Sequence, residues 1–485
     1  MIGTTWRARF ASRLGPEPAL VLASGETWSG DELAARAGGA AAWLESLGAE
    51  PGAAVPSLLA AGGSSIALLV AGALWDRPVA PLGPRLTPDE LAACVRGLDA
   101  NVLVTEAEFL SAAERVAAST GVRVAVLPES LPRVDRPFEP DVATDVVACF
   151  QHTSGTTGLP KRVVVDQGRL GHRVDASPRA LEFAAGDSYA TAGGFHHAAG
   201  AVMLLIMLGA GGSVVPLRGF SIDGWRGLAE RRPTHALAVP SQIEMLLRAD
   251  ALAIPTLRLL QYGASPIHPD TLRAALAALP ATRFVQIFGQ TEGSPLTALT
   301  HEDHLRALGG DPHLLASAGR AVSNLDLALD LDAAPDDPDV GEVRARAAHL
   351  FTRGADGWLA TGDLGRIDAE GYLYLVGRLG DMLIRGGENV YPLEVERVLE
   401  AHPGVVEAAV YGVPDRRLGQ EVAAAVVGPG GAPPNAEELT AWCRERLAPF
   451  KIPRTWTFVD ALPRTASGKL LRRALPNESV AQRPS

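Results

Sequence analysis

Residues 146–161 read VVACFQHTSGTTGLPK, and the rest of the chain is best read outward from them. Val146–Phe150 is a short apolar run of the kind that forms a buried strand. It leads into His152-Thr153-Ser154-Gly155-Thr156-Thr157-Gly158-Leu159-Pro160-Lys161, a polar loop that ends on a cation. Hydroxyl and backbone N–H groups can ring a phosphate, glycines let the backbone approach closely, and an ammonium adds positive charge. The Walker pattern requires Gly directly before Lys and Ser or Thr after it. Here Pro160 precedes Lys161 and Arg162 follows, so this is a different loop. A generic Ser/Thr/Gly stretch is an ordinary turn. What distinguishes this one is its lysine.

The sequence holds three lysines, Lys161, Lys451 and Lys469, among 44 basic side chains. Arginine serves wherever a generic positive charge would do. A surviving lysine marks a position that wants a compact ammonium on a slender stem in place of a planar fork.

Around the loop the chain alternates helix and strand patterns. Glu32–Leu47 has helical spacing and stops at Gly48, Ser65–Leu74 is short and apolar, and Pro88–Leu98 opens like a helix. Asn101–Thr105 reads as a buried strand, and residues 190–300 repeat the theme. Residues 332–339 form a turn-rich loop, and 341–378 suggest a small antiparallel region. Beyond Gly380 come a short helix at Pro392–Ala401, strands at Val405–Tyr411 and Val422–Val427, and a helix over Ala436–Leu447 capped by Asn435 with Glu438. The expected fold is a large α/β N-terminal domain, sheets with packed helices plus a small β region, over 1–379. A smaller α+β C-terminal domain over 380–485 is joined to it by a hinge at Leu379–Asp381. The tail after Leu475 reads as disordered.

At 485 residues the chain fits two or three compact units, and 47% hydrophobic with 20% charged residues is an ordinary globular balance. A net charge of −11 argues against a nucleic-acid or anionic-membrane partner. Cys94, Cys149 and Cys443 lack metal or redox spacing and read as reduced buried thiols. The N-terminal residues have no long apolar core, and Ala198–Leu208 is about half the length a bilayer requires. The expectation is a soluble, cytoplasmic protein with no membrane span.

TSGTTGLPK resembles the phosphate loop of the acyl-adenylate-forming superfamily, which includes acyl-CoA synthetases, peptide-synthetase adenylation domains and luciferases. The resemblance continues in order along nearly the whole chain. Tyr262-Gly263-Ala264-Ser265-Pro266 is similar to the segment that lies against adenine. Phe288-Gly289-Gln290-Thr291-Glu292 resembles the motif in which the aromatic stacks on adenine, Thr contacts phosphate and Glu binds Mg²⁺. Asp363, in Trp358-Leu359-Ala360-Thr361-Gly362-Asp363, matches the carboxylate that accepts from both ribose hydroxyls, and Arg378 matches the second ribose contact. Arg385-Gly386-Gly387-Glu388-Asn389 matches the loop that swings in for the thioester step. Pro463-Arg464-Thr465-Ala466-Ser467-Gly468-Lys469 matches the loop that carries the catalytic lysine. Lys451, in Phe450-Lys451-Ile452-Pro453, matches a family position too, with a structural surface lysine as the alternative.

The resemblance implies ATP, Mg²⁺ and CoA as reactants, with Lys469, Glu292 and Thr291 catalytic and Glu292 on the metal. It assigns Thr153, Ser154, Gly155, Thr156, Thr157, Gly158 and Lys161 to the phosphates. Gly263, Ala264, Ser265, Phe288, Asp363 and Arg378 fall to adenine and ribose. Phe195, His196, His197, Val239 and Gly289 line the acyl pocket, and Gly380, Gly386, Gly387 and Glu388 serve the hinge and thioester step. Four positions depart from the pattern: Arg162 replaces a usual Gly, Gln167 a common His, Gly380 a hinge Asp or Lys, and Phe288 a usual Tyr.

Amino-acid-activating members carry an acid near the acyl pocket, whereas here the polar positions are His196 and His197. An uncompensated ammonium would be poorly held there, so the substrate is expected to lack an α-amino group. The expected product is an acyl-CoA. A carrier-protein thiol or an amine is the alternative acceptor, an unusual oxyanion the alternative substrate, and a non-catalytic nucleotide-binding protein the second alternative. The residues leave the acid and the oligomeric state open.

Overall fold

A computed structural model describes residues 3–154, 160–265, 267–334, 337–385, 388–431, 434–464 and 470–475. They fall into two compact units, Met1–Leu327 with Ala345–Leu359, and Ala328–Arg344 with Ala360–Ser485.

The first unit is built on two large sheets. One has six strands in the order Arg123–Val126, Val102–Thr105, Val55–Leu58, Val79–Pro81, Val147–Ser154 and Pro160–Asp166. All its pairings are parallel except the last, where Val147–Ser154 and Pro160–Asp166 run antiparallel on either side of the Gly-rich loop. The other has nine strands, with a parallel centre and antiparallel pairs at its edges. Parallel strands are buried on both faces, which is why Val102–Thr105 and Val55–Leu58 show no exposed position.

One apolar core takes side chains from both sheets, among them Val79, Val104 and Val163 from the first and Tyr189, Val214 and Val285 from the second. Helices Gly63–Leu74 and Met203–Gly209 contribute most of their residues to it. A helix apolar on all sides belongs inside a protein. This accounts for the Ala198–Leu208 run, and no described helix is long and apolar enough to cross a membrane.

The expected helices appear at Gly30–Ser46, Pro88–Arg96, Pro392–Glu400 and Ala436–Arg444. The last ends three residues sooner than its spacing predicts, and Asn435 caps it by accepting from the Glu438 N–H at 2.9 Å. Gly63–Leu74 proves to be a whole buried helix. Most residues of a small sheet, in the order Asp326–Asp330, Gly341–Arg346, Leu359–Ile367 and Leu373–Arg378, belong to the second unit, where the antiparallel region is expected. That unit also contains a second sheet in which Gly419–Val427 lies between Glu407–Asp415 and Leu383–Arg385 and is joined by Thr455–Phe458. The expected pivot at Gly380 sits in a turn of this unit, where the Asp381 N–H donates to the Arg378 carbonyl at 3.0 Å and the space around the glycine is open.

The N-terminal residues were read only as a segment without a secretory core. They form the helix Trp6–Ala11, capped by Thr5. Trp6 is fully buried and donates through Nε1 to the Leu205 carbonyl at 2.6 Å. Arg7, also buried, donates to the Ala73 carbonyl at 2.8 Å and to Asp76 at 2.6 Å. Trp6→Ala should lower the stability of the first unit by about 3–5 kcal/mol. Trp6→Phe, which keeps a ring but not the donor, should cost less. An unchanged denaturation midpoint in Trp6→Ala would show that the helix does not hold the core.

Candidate active site

The expected phosphate loop follows strand Val147–Ser154, and residues 155–159 lie outside the described set, as does the side chain of Ser154. The flanks are well defined. Thr153 pairs with Lys161 across the strands, and the Thr153 hydroxyl donates to the Glu292 carboxylate at 3.3 Å. That contact joins residues 139 apart in sequence. Lys161 is exposed, and its ammonium has no ion-pair partner among the described residues.

Glu292 and Thr291 form the two-residue tip between strands Arg283–Gln290 and Gly293–Leu299, closed by the pair Gln290↔Gly293. The register shifts between Phe288 and Gln290, a bulge that re-aims the side chains at the tip. Gly289 fills the bulge because a Cβ there would lie 2.8 Å from that of Ser294. The Glu292 carbonyl accepts from the N–H groups of Phe351 at 2.8 Å and Thr352 at 3.2 Å, which anchors the tip to a later segment. Phe288 is half-buried against an apolar cluster that includes Leu296 and Leu350.

The neighbouring strand, Leu259–Gly263, ends in a backbone constraint that its local residues do not announce. A Cβ at Gly263 would lie 2.3 Å from the Ile287 carbonyl oxygen, and Ala264 has φ +69. A left-handed alanine costs energy and marks a place where the chain path is imposed. Ala264 and Ser265 are exposed at this strand end, with Tyr262 buried behind them. Pro266 lies outside the described residues.

The Tyr262 hydroxyl is 2.7 Å from His304 Nε2, while His304 Nδ1 is 2.5 Å from the Thr300 carbonyl. A carbonyl only accepts, so Nδ1 carries the proton and Nε2 accepts from the tyrosine.

In the expected acyl pocket, the rings of His196 and His197 lie 4.0 Å apart. Burial, helped by the neighbouring His197 and Arg85, pushes the His196 imidazole down to about 3, so it is neutral at physiological pH. Gly194 and Gly83 leave room for its ring, since a Cβ would come within 2.7 and 3.1 Å respectively. Val239 is half-buried at the cap of helix Pro240–Arg248, whereas Phe195 is 2% exposed and packs in the main core.

In the second unit, Asp363 and Arg378 are cross-strand partners, with Nε donating to Oδ1 at 2.8 Å. The Thr361 hydroxyl holds the Asp363 N–H at 3.1 Å. Glu388 is exposed at the start of strand Glu388–Val390, and Gly386 and Gly387 lie outside the described residues. Lys469, in residues 465–469, does too. Lys451 is tied to both Glu394 oxygens at 2.8 Å, which supports the structural reading of that lysine. A cavity of about 650 Å³ opens in this unit among Leu329, Tyr374, Val376, Glu394 and Arg397, but none of the expected nucleotide contacts lines it.

Two departures from the family pattern have structural explanations. Arg162 lies over the Phe150 ring and donates to the Gly97 carbonyl at 2.6 Å. Gln167 is buried, accepts from the Arg7 N–H at 3.0 Å and donates to the Ala73 carbonyl at 2.7 Å.

Four histidines of the first unit, His152, His196, His304 and His349, are held by burial at about 3 to 4, below the 6.5 of a free imidazole. Between those values the unfolded chain binds more protons, so stability falls as pH drops from 6.5 toward 4. Glu400 of the second unit, raised to about 7 by burial, acts in the opposite sense. The histidine contribution is therefore read as a difference. His304→Gln should show a shallower acid loss than the wild type in unfolding curves from pH 7 to 4. Parallel curves would refute a neutral buried His304.

The profile of the AMP-binding enzyme family matches residues 8–353, and that of the AMP-binding enzyme C-terminal domain matches residues 394–469. A fatty acid–[acyl-carrier-protein] ligase of Streptomyces coeruleorubidus is 32% identical over 497 residues, covering 96% of this chain and 94% of its own. The structure of an amide bond synthetase from Marinactinospora thermotolerans superposes with a TM-score of 0.85 at 29% identity, covering 96% of this chain and 98% of that one. The o-succinylbenzoate coenzyme A synthetase of Bacillus subtilis, solved with ATP and magnesium, gives 0.84 at 28% identity over 97% and 99%. The profiles cover most of the chain and take in the contact between Thr153 and Glu292, so the protein belongs to the AMP-binding enzymes of the acyl-adenylate-forming superfamily.

Proposed function

We propose that the protein activates a carboxylic acid without an α-amino group as an acyl-adenylate, releasing pyrophosphate, and passes the acyl group to the thiol of CoA. The observation that carries this reading is the approach of the Thr153 hydroxyl to the Glu292 carboxylate, with Thr153 paired across the strands to Lys161, whose ammonium has no ion-pair partner among the described residues. A hydroxyl, a carboxylate and a cation suit a metal-bound triphosphate. Magnesium is commonly held by one or two carboxylates with substrate phosphates completing the shell, and no group of three metal-ligating side chains occurs among the described residues. Glu292 would hold the ion, which would supply neutralisation of phosphate charge.

In the first step a carboxylate oxygen bonds to the α-phosphorus as the bond to the bridging oxygen breaks and pyrophosphate leaves. Lys469 would place its ammonium between the two like-charged reactants, where it lowers the barrier most as charge develops. Thr291 and Lys161 would bind phosphate, and Phe288 with residues 263–265 would hold adenine. Asp363 would exchange its pairing with Arg378 for the ribose hydroxyls. The His196 imidazole is held neutral by burial, and Arg85 acts on it as a positive charge, so a substrate ammonium would be poorly compensated there. In the second step the thiol sulfur bonds to the acyl carbon and AMP leaves. Gly380 would be the pivot joining 1–379 and 380–485 as Gly386, Gly387 and Glu388 come into use.

A second reading keeps the first step and changes the acceptor to a carrier-protein thiol or an amine. It is favoured by similarity to a carrier-protein ligase and an amide synthetase.

ATP–pyrophosphate exchange over a panel of carboxylic acids, with CoA consumption measured in parallel, tests both readings. Acid-dependent exchange with CoA consumed supports the first, and exchange without CoA consumption supports the second. No exchange with any acid would overturn adenylation. Lys469→Ala should cut exchange by about 10²–10³-fold or more while sparing transfer from supplied acyl-adenylate. Equal losses in both half-reactions would refute its assignment to the first. Glu292→Gln should shift the Mg²⁺ titration to higher concentration, because a neutral amide is a poor ligand for a hard cation. An unmoved titration would remove Glu292 from the metal.

A further inference from the structure

Lys469 can serve adenylate formation only if the chain that carries it is held in place, and the described residues on either side of 465–469 show what holds it. Arg464 and Leu470 form an antiparallel pair, and the Leu471 N–H donates to the Pro463 carbonyl at 2.8 Å. Both flanks are fastened to one strand, Glu407–Asp415. On the near side, Arg464 Nη2 donates to Glu407 at 2.6 Å. On the far side, Arg472 Nη1 donates to the Val410 carbonyl at 2.8 Å.

The two fastenings differ in kind. Arg464 and Glu407 are 43% and 38% exposed, so water weakens their attraction. Arg472 is 23% exposed and Glu396, on helix Pro392–Glu400, only 6%. Arg472 grips both oxygens of Glu396, with Nη2 donating to Oε2 at 3.0 Å, and Glu396 in turn accepts from the Val410 N–H at 2.7 Å. Arg472, Glu396 and the backbone of Val410 thus form a closed ring of hydrogen bonds. A bidentate guanidinium–carboxylate pair fixes orientation as well as distance. The third nitrogen, Nε, donates to Asp381 Oδ2 at 3.2 Å, across 91 residues. Asp381 directly follows Gly380.

We propose that Arg472 is a positioning residue for adenylate formation: with Glu396 and Asp381 it joins the lysine-bearing segment to the residue after the pivot, so that rotation about Gly380 is delivered to Lys469 undamped. This role rests on the assignment of Lys469 to the first step and of the pivot to Gly380. Arg472 acts through Lys469, and misplacing a reacting group by about 1 Å can cost about 10²-fold in rate. A lysine at this position could neutralise Glu396, but one ammonium does not reproduce a planar fork that meets three partners in fixed directions.

Two variants loosen the connection without leaving the buried carboxylate bare. Arg472→Lys keeps a cation for Glu396 and gives up the fork. Asp381→Ala removes a carboxylate that is 42% exposed and leaves the ring with Val410 intact, so it carries the test alone if Arg472→Lys does not fold. In ATP–pyrophosphate exchange by the full-length protein, with an acid active for the wild type, each variant should lower turnover about 10-fold while KM for ATP changes less than about twofold. Each change is then repeated on a Lys469→Ala background. A residue that acts through Lys469 has nothing left to position there, so the residual exchange should fall no further. Wild-type turnover in the single variants overturns the proposal. So does a further loss of about 10-fold on the Lys469→Ala background, since effects that add belong to a general structural role. Full exchange in Lys469→Ala itself is a different failure: it refutes the assignment of Lys469 to the first step, and the positioning role falls with it.

Discussion

A hydroxyl and a carboxylate 139 residues apart meet at 3.3 Å because two sheets share one apolar core. Thr153 is next to last in a strand of the six-stranded sheet, and Glu292 tips a hairpin of the nine-stranded one. Neither sheet could place both groups. What fixes their separation is the apolar core shared by the sheets, to which helices Gly63–Leu74 and Met203–Gly209, with side chains nearly all buried, contribute. Interiors pack at crystal-like density, so displacement of this core would be felt at the site. The polar contact is individually modest. Its geometry is specified by hydrophobic burial far larger than the contact itself.

Much of this was legible because the signals were local. Thr87 and Glu90 form a capping box that starts helix Pro88–Arg96, and Gly48, at φ +71, follows the end of helix Gly30–Ser46. Both are written in a few adjacent residues. The family was legible through motifs whose order along the chain matched it, and those motifs supplied the candidate site residues. What escaped the reading depends on packing between distant segments. Nothing local to Ala264 announces a left-handed backbone, which follows from the course of the chain after the close approach of Gly263 to Ile287. Gln167 looked like a lost histidine, yet its amide joins the N-terminal helix to helix Gly63–Leu74 through Arg7 and Ala73. Likewise Gln151 and Arg173 seemed unremarkable until burial left their polar atoms unpaired.

Desolvation runs through the chemistry of the first unit. The histidines buried there are neutral for the same reason that Arg173 is costly: a low-dielectric interior penalises the charged form. An imidazole can respond by giving up its proton. A guanidinium cannot at neutral pH, and so must recruit compensation from ring faces, carbonyls or anions. Arg77 shows the ordinary solution, donating to the carbonyls of Ala49 and Trp75 and to Glu45. Arg7 reaches a carbonyl and a carboxylate in the same manner. Arg173 departs from both, with a ring face and no acceptor among the described residues.

The scarcity of lysine acquires a physical meaning from the same comparison. Arginine is used in this chain as a multi-pronged staple: Arg472 alone joins Glu396, Asp381 and the Val410 carbonyl. A lysine cannot span such sites with fixed geometry, so lysine persists where a point charge suffices or is required. Scarcity by itself does not separate those two cases. Lys451, held symmetrically by the two oxygens of Glu394, is a point charge used for structure. Lys161 differs because it stands beside the Thr153–Glu292 contact with no described anion to neutralise it. An exposed ammonium at the edge of a hydroxyl-rich loop is cheap to keep hydrated and ready to exchange its water for phosphate oxygens. Among the described residues Lys451 has a counter-charge and Lys161 has none, and that contrast, more than the rarity of the residue, distinguishes the two positions.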